Sequence, residues 1–144
     1  MTHTELTIHT DGGARGNPGP AAVGVTAVTS SGETLFEISQ YIGQETNNVA
    51  EYSAVIHSLK YLQEHGIEVE KITYILDSEL IVRQLQGIYK VKEPRLIVLN
   101  QNVKNLIQKQ KIIHRLKNID FINVPRNRNK RADELVNQAL DSQQ

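Results

Sequence analysis

Three strand-type runs precede the first helical period, and every later strand-type run leads into a helix. That order constrains the fold more than any single residue does. Leu6, Ile8 and Thr10 alternate with Thr7, His9 and Asp11, the period of a half-buried strand, and the run halts at Gly12-Gly13, placing the strand's end at Asp11. Ala22 to Thr29 is small and β-branched, Ser30-Ser31-Gly32 signals a turn, and Thr34 to Ile42 resumes as strand, so the two segments read as a hairpin. Asn47 or Asn48 then caps a long segment in which Val55, Leu59 and Leu62 share a face, closing near Gly66. Lys71 to Leu76 is strand-like and ends at Asp77, and Ser78 caps a helix through Gln86. Pro94 opens a further helix with Leu96, Leu99, Val103 and Leu106 at helical spacing. Ile119 to Val124 is the last strand, Pro125 to Lys130 a basic loop, and Arg131 to Leu140 a terminal helix.

The order β-β-β-α-β-α-α-β-α implies an α/β fold: a five-stranded mixed sheet, its antiparallel hairpin extending parallel strands one, four and five, with helices on its faces. The 144 residues suit one domain spanning 1–144. In open sheets of this kind sites form beyond the carboxyl ends of the strands, where Asp11 and Asp77 are placed.

Composition narrows the chemistry. No apolar run approaches the roughly 20 residues that cross a bilayer, and Met1 to Thr10 lacks a basic-then-apolar leader, so the expectation is a cytoplasmic protein with no membrane partner. The absence of cysteine excludes disulfides, a thiolate zinc site and a Cys nucleophile. A formal net charge of zero argues at first against a nucleic-acid partner. The zero is a sum of opposites: residues 1–79 carry 3 basic and 11 acidic side chains, residues 80–144 carry 13 and 5. Such asymmetry suits an acidic site beside a surface for a polyanion.

Adjacent parallel strands lie about 4.8 Å apart, so Asp11 and Asp77 would crowd like charges at one sheet edge. A divalent cation resolves that conflict, and hard oxygen ligands point to Mg²⁺ or Mn²⁺. Glu51 and Asp133, each near the start of a helix, can aim at the same place, and four carboxylates can hold two ions. Each also has a plainer reading. Glu51 stands three residues after Asn48, the spacing of a capping box; Asp77 can cap the next helix; Asp133 suits a helix N-terminus. The five histidines show no metal-ligand spacing and read as structural or solvated. The stretch from Asp11 to Pro20 has glycines at 13, 16 and 19 but neither the lysine of a P-loop nor a following helix. It reads as a tight hairpin turn, or as backbone that comes close to a nucleic-acid strand.

Four segments in order, T-D-G-G-A-R-G-N-P-G-P (10–20), T-N-N-V-A-E-Y-S-A (46–54), L-D-S-E-L-I-V-R-Q-L-Q-G (76–87) and V-P-R-N-R-N-K-R-A-D-E-L (124–135), resemble type 1 ribonuclease H. The resemblance implies hydrolysis of the RNA strand of RNA–DNA hybrids with two Mg²⁺ or Mn²⁺ ions, leaving 5′-phosphate and 3′-hydroxyl ends. It places Asp11, Glu51, Asp77 and Asp133 as catalytic, metal-binding carboxylates. It places Gly12, Asn17, Thr46, Asn47, Asn48 and Arg126 against substrate. Two other readings stand beside it: a binding module of the same fold without catalysis, and another nuclease or strand-transfer enzyme of the superfamily.

The chain departs from the family's pattern in three places. Arg126 stands where many relatives carry histidine, and arginine cannot serve as a base. Glu79 replaces a glutamine that contacts substrate in relatives. Gly87 to Glu93 replaces a basic, tryptophan-containing protrusion, with Tyr89, Lys90, Lys92 and Arg95 as weak substitutes. With no hybrid-binding module ahead of the first strand, the expectation is a monomer whose binding is modest and steeply salt dependent.

Overall fold

The computed structural model describes residues 2–144. Strands β1 (Thr2–Ala14), β2 (Gly19–Thr29), β3 (Thr34–Glu45), β4 (Glu68–Leu76) and β5 (Asn118–Asn123) form one sheet in the order β3-β2-β1-β4-β5. β1 pairs antiparallel with β2 and parallel with β4, and β4 pairs parallel with β5. This is the expected mixed sheet. Helices α1 (Asn47–Glu64), α2 (Glu79–Leu85), α3 (Pro94–Ile113) and α4 (Lys130–Asp141) complete the chain, with a single 3₁₀ turn at Arg126–Arg128. Among the described residues no helix is long and apolar enough to cross a membrane.

The first strand does not end at Asp11. It runs on to Ala14, because β2 continues to pair with it from Leu6↔Thr29 through Asp11↔Gly24 to Ala14↔Ala21. What stops early is its other neighbour: the β1–β4 ladder ends at His9↔Ile75 and β4 itself at Leu76. Asp11 therefore lies on a strand supported from one side and open on the other. That opening is the crevice expected where a sheet's connections change direction.

The start of α1 also differs from expectation. Thr46, with extended backbone, is the cap, and its Oγ1 accepts the Val49 N–H at 3.2 Å. Asn47 and Asn48 are already helical, and Asn47 is held from outside, its own N–H donating to Asn17 Oδ1 at 3.0 Å. Glu51 is thus not the acid of a capping box. Ser78 caps α2 as expected, accepting from the Ile81 N–H, which leaves Asp77 free of that duty.

Leu6, Ile8, Val23 and Val25 of the sheet bury one face against Tyr52, Val55, Leu59 and Leu62 of α1. Deep in this layer the Tyr52 hydroxyl donates to Gln84 Oε1 at 2.8 Å and accepts from Asn100 Nδ2 at 3.2 Å, joining α1, α2 and α3. α4 takes the opposite face, where Val136, Ala139 and Leu140 pack on Ala22 with Tyr41 at the side. Two glycines let these helices come close. A Cβ on Gly12 would lie 2.1 Å from the Ala50 carbonyl, and one on Gly24 would lie 2.1 Å from Ala132 O. A glycine inside a strand often marks such an approach.

Gly24→Ala is therefore expected to lose about 1–3 kcal/mol in urea denaturation, the cost typical of overpacking. Gly13→Ala is the control: its Cβ would meet only Val136 Cγ1 at 3.7 Å, so its midpoint should stay near that of the parent chain. Equal midpoints for the two variants would contradict the close docking of α4.

Candidate active site

Asp11 lies within β1 just beyond its last pair with β4, Asp77 is the first residue after β4, and α1 brings Glu51 from the face that rests on Gly12. One oxygen from each of these carboxylates lies within 4.8 Å of the other two. Asp133, in the first turn of α4, lines the same cavity of about 300 Å³, together with Arg15, Asn47, Asn48 and Arg126. Three of the four carboxylates singled out from the sequence are thus gathered at one point, and the fourth stands at the wall.

Burial makes this an uneasy cluster. Asp11 is 3% exposed and Glu51 6%. The Gly12 N–H donates to Glu51 Oε1 at 3.0 Å, but Glu51 Oε2 and Asp77 Oδ2 are buried without any hydrogen-bond partner. Burial pushes the Asp11 carboxyl up to about 6, a hydrogen bond with Glu51 working against the rise and the charges of Asp77 and Asp133 adding to it. Burial likewise lifts Glu51 well above the carboxylate range, reinforced by the charge of Asp11. Asp77 is raised by burial too, while Asn129 and the Arg126 guanidinium hold it down. A buried carboxylate left unpaired is costly. Oxygens with open lone pairs converging on one point fit a hard divalent cation, and no thiolate or imidazole stands among them.

The other candidates separate into distinct places. Asn48 lies between the carboxylate cavity and a neighbouring groove of about 380 Å³ that Asn17, Thr46, Glu93 and Arg95 also line. Asn47 Oδ1 accepts the Ala14 N–H at 2.8 Å, so Asn17, Asn47 and Ala14 stitch the glycine loop to the start of α1. The N–H of Gly12, also singled out from the sequence, donates to Glu51. Of the basic loop, Arg126 alone joins the carboxylates. Arg128, Lys130 and Arg131 line a separate depression with His9, and Arg131 forms a bidentate pair with Glu37 at 2.8 and 2.9 Å. Arg95 is likewise paired with both oxygens of Glu45, and Glu79 accepts the Tyr89 hydroxyl at 3.2 Å.

Two residues with a part in the site escaped the sequence reading. Gly24 seats α4, and so Asp133, on the sheet; the signal was a glycine within an otherwise β-branched run. Asn129, 1% exposed, reaches back to β1. Nothing local in the sequence separates it from an ordinary helix cap.

The family model described as reverse transcriptase-like matches residues 9–139. The Bifunctional protein Rv2228c of Mycobacterium tuberculosis is 40% identical over 139 residues, which cover 96% of this chain and 36% of that protein. The chain thus spans about a third of the length of the curated relatives it matches first. Among solved structures, LC11-RNase H1, isolated from compost, is 49% identical with a TM-score of 0.85, covering 96% of this chain and 97% of its own. A second structure of LC11-RNase H1, in complex with an RNA/DNA hybrid, is 48% identical with a TM-score of 0.86 over 95% of this chain and 97% of its own. With its sheet order, its converging carboxylates and these likenesses, the chain belongs to the reverse transcriptase-like family and, within it, to the type 1 ribonucleases H.

Proposed function

We propose that the protein is a divalent-cation-dependent endonuclease that hydrolyses the RNA strand of RNA–DNA hybrids, leaving 5′-phosphate and 3′-hydroxyl ends. The observation that carries this reading is the convergence of Asp11, Glu51 and Asp77 with buried oxygens that no protein group satisfies. The likeness to a ribonuclease H1 solved with a hybrid supports the substrate class. The proposal includes two Mg²⁺ or Mn²⁺ ions held by Asp11, Glu51, Asp77 and Asp133. When bound, such ions lower the pKa of the attacking water and offset charge on the scissile phosphate and leaving oxygen. A monomer acting in the cytoplasm belongs to the same proposal, all four carboxylates coming from one chain.

The chain's own residues prepare the rest. Gly12 holds Glu51 in place through its N–H, fixing one oxygen and leaving the other open. Arg126 contributes a fixed positive charge beside Asp11 and Asp77 and has no proton to take up. Thr46, Asn17 and Asn48 line the adjoining groove, where hydroxyl and amide groups can both donate to and accept from a minor groove bearing 2′-hydroxyls on one strand only. These hydroxyls are what separates RNA from DNA.

Offered labelled hybrid, double-stranded RNA and duplex DNA with Mg²⁺ or Mn²⁺, the protein should cut the RNA of the hybrid only when cation is present. Asp77→Asn should lose more than the roughly 10–100-fold that removing an outer partner of a metal ligand costs. No cleavage with either ion would end the nuclease reading, and full activity in Asp77→Asn would end this assignment of the site. Hybrid affinity, measured by fluorescence anisotropy, should fall log-linearly with salt; a flat response would contradict binding through phosphate contacts.

Stability should depend on pH in a definite direction. A carboxyl raised by folding stabilises the fold below its unfolded pKa and loses that contribution as pH rises through its folded value. For Asp11 the window runs from its ordinary value of 3.8 to about 6, and Glu51 extends it upward. Chelator-treated protein should therefore melt at lower temperature at pH 8 than at pH 5, and Mg²⁺ should restore more at pH 8. Glu37 is shifted the opposite way, so its contribution is fully present above its ordinary 4.5 and does not change between pH 5 and pH 8. A melting temperature independent of pH across that range, or an equal gain from Mg²⁺ at both ends, would contradict the buried cluster.

A further inference from the structure

Asn129 occupies the position before α4 where a side chain usually caps the helix, yet it makes no such bond. Its side chain is turned inward and is almost wholly buried. Nδ2 donates to the carbonyl of Thr10 at 2.9 Å, across 119 positions of sequence. A carbonyl can only accept, which fixes the amide's orientation: Oδ1 must be the atom 3.1 Å from His9 Nδ1, and His9 must donate to it. Meanwhile the Asn129 backbone carbonyl accepts the Asp133 N–H at 3.2 Å, the first helical bond of the turn that carries Asp133.

We infer that Asn129 is a positioning residue of the site, its side-chain amide locked to the β1 backbone beside Asp11 and its carbonyl to the α4 turn bearing Asp133. This deepens the nuclease reading and rests on it for the kinetic consequences. A single residue thus touches the chain at, or one bond away from, two of the four carboxylates, Asp11 and Asp133. Glu51 is referenced to the same strand through Gly12.

A plain helix-capping role gives a different result from positioning, and serine separates the two. Serine is among the best N-caps, but its side chain is too short to reach both Thr10 and His9. Asn129→Ser and Asn129→Ala are compared with the parent chain in two measurements, both well below each variant's melting temperature. One is Mn²⁺ binding to the nucleic-acid-free protein by titration calorimetry. The other is kcat and KM on an RNA–DNA hybrid. Both variants are expected to bind Mn²⁺ roughly 10–100-fold more weakly and to lose kcat in the same range, with KM for hybrid within about threefold of the parent.

Mn²⁺ affinity and kcat equal to the parent's in Asn129→Ser, with only the melting temperature lowered, would overturn the inference and leave Asn129 a structural residue. If Asn129→Ala fails to fold, Asn129→Ser alone decides. If the parent chain itself cuts no hybrid, that outcome falls on the nuclease reading, and the Mn²⁺ titration still decides the role of Asn129.

Discussion

Two helices approach the β1–β2 hairpin from opposite faces at almost the same level, and the site exists because neither meets a side chain there. Gly12 lets the backbone of α1 close on β1 at Ala50, one residue before Glu51. Gly24, paired with Asp11 across the hairpin, lets α4 close at Ala132, one residue before Asp133. Partners directly opposite in an antiparallel pair share a face, and neighbours along a strand alternate. One short stretch of hairpin therefore sets the height of both helices relative to Asp11. The open side left where β4 stops admits Asp77 to the same point.

That geometry forces an electrostatic conflict that the protein does not resolve by itself. Burial raises Asp11, Glu51 and Asp77 together, and two carboxylate oxygens stay without partners. A cluster retained only for stability would gain from apolar replacements of similar volume. Its persistence fits a site whose missing charge arrives with a cation. The positive groups nearby are arranged accordingly. Arg126 faces the cavity, while Arg131 and Arg95 are engaged by Glu37 and Glu45. The basic segment is therefore not a uniform field: Arg126 stands at the carboxylates, Arg131 and Arg95 are engaged by acids, and Arg128 and Lys130 line another depression.

Much of this was legible from the residues in order. Alternation and turn signals give five strands and their pairing sense, and four short motifs mark the carboxylates. What was not legible depends on contacts between distant positions. The end of β1 could not be read at Gly12-Gly13 because β2, not the local sequence, keeps the strand extended. The cap of α1 fell to Thr46 because Asn17, thirty residues upstream, holds the N–H of Asn47. Asn129, read only as part of the basic loop, faces inward to Thr10. Arg128, Lys130 and Arg131, next to Arg126 in sequence, turn away from it because one turn of 3₁₀ helix and the start of α4 distribute them over another surface.

The central claim is that the buried carboxylates carry protons which a divalent cation must displace. Titration calorimetry of Mg²⁺ or Mn²⁺ into the hybrid-free protein near pH 6, repeated in buffers of different ionisation enthalpy, counts those protons directly. The account predicts net proton release on cation binding, strongly reduced in Glu51→Gln. Binding with no proton release, or release unchanged by that substitution, would contradict it.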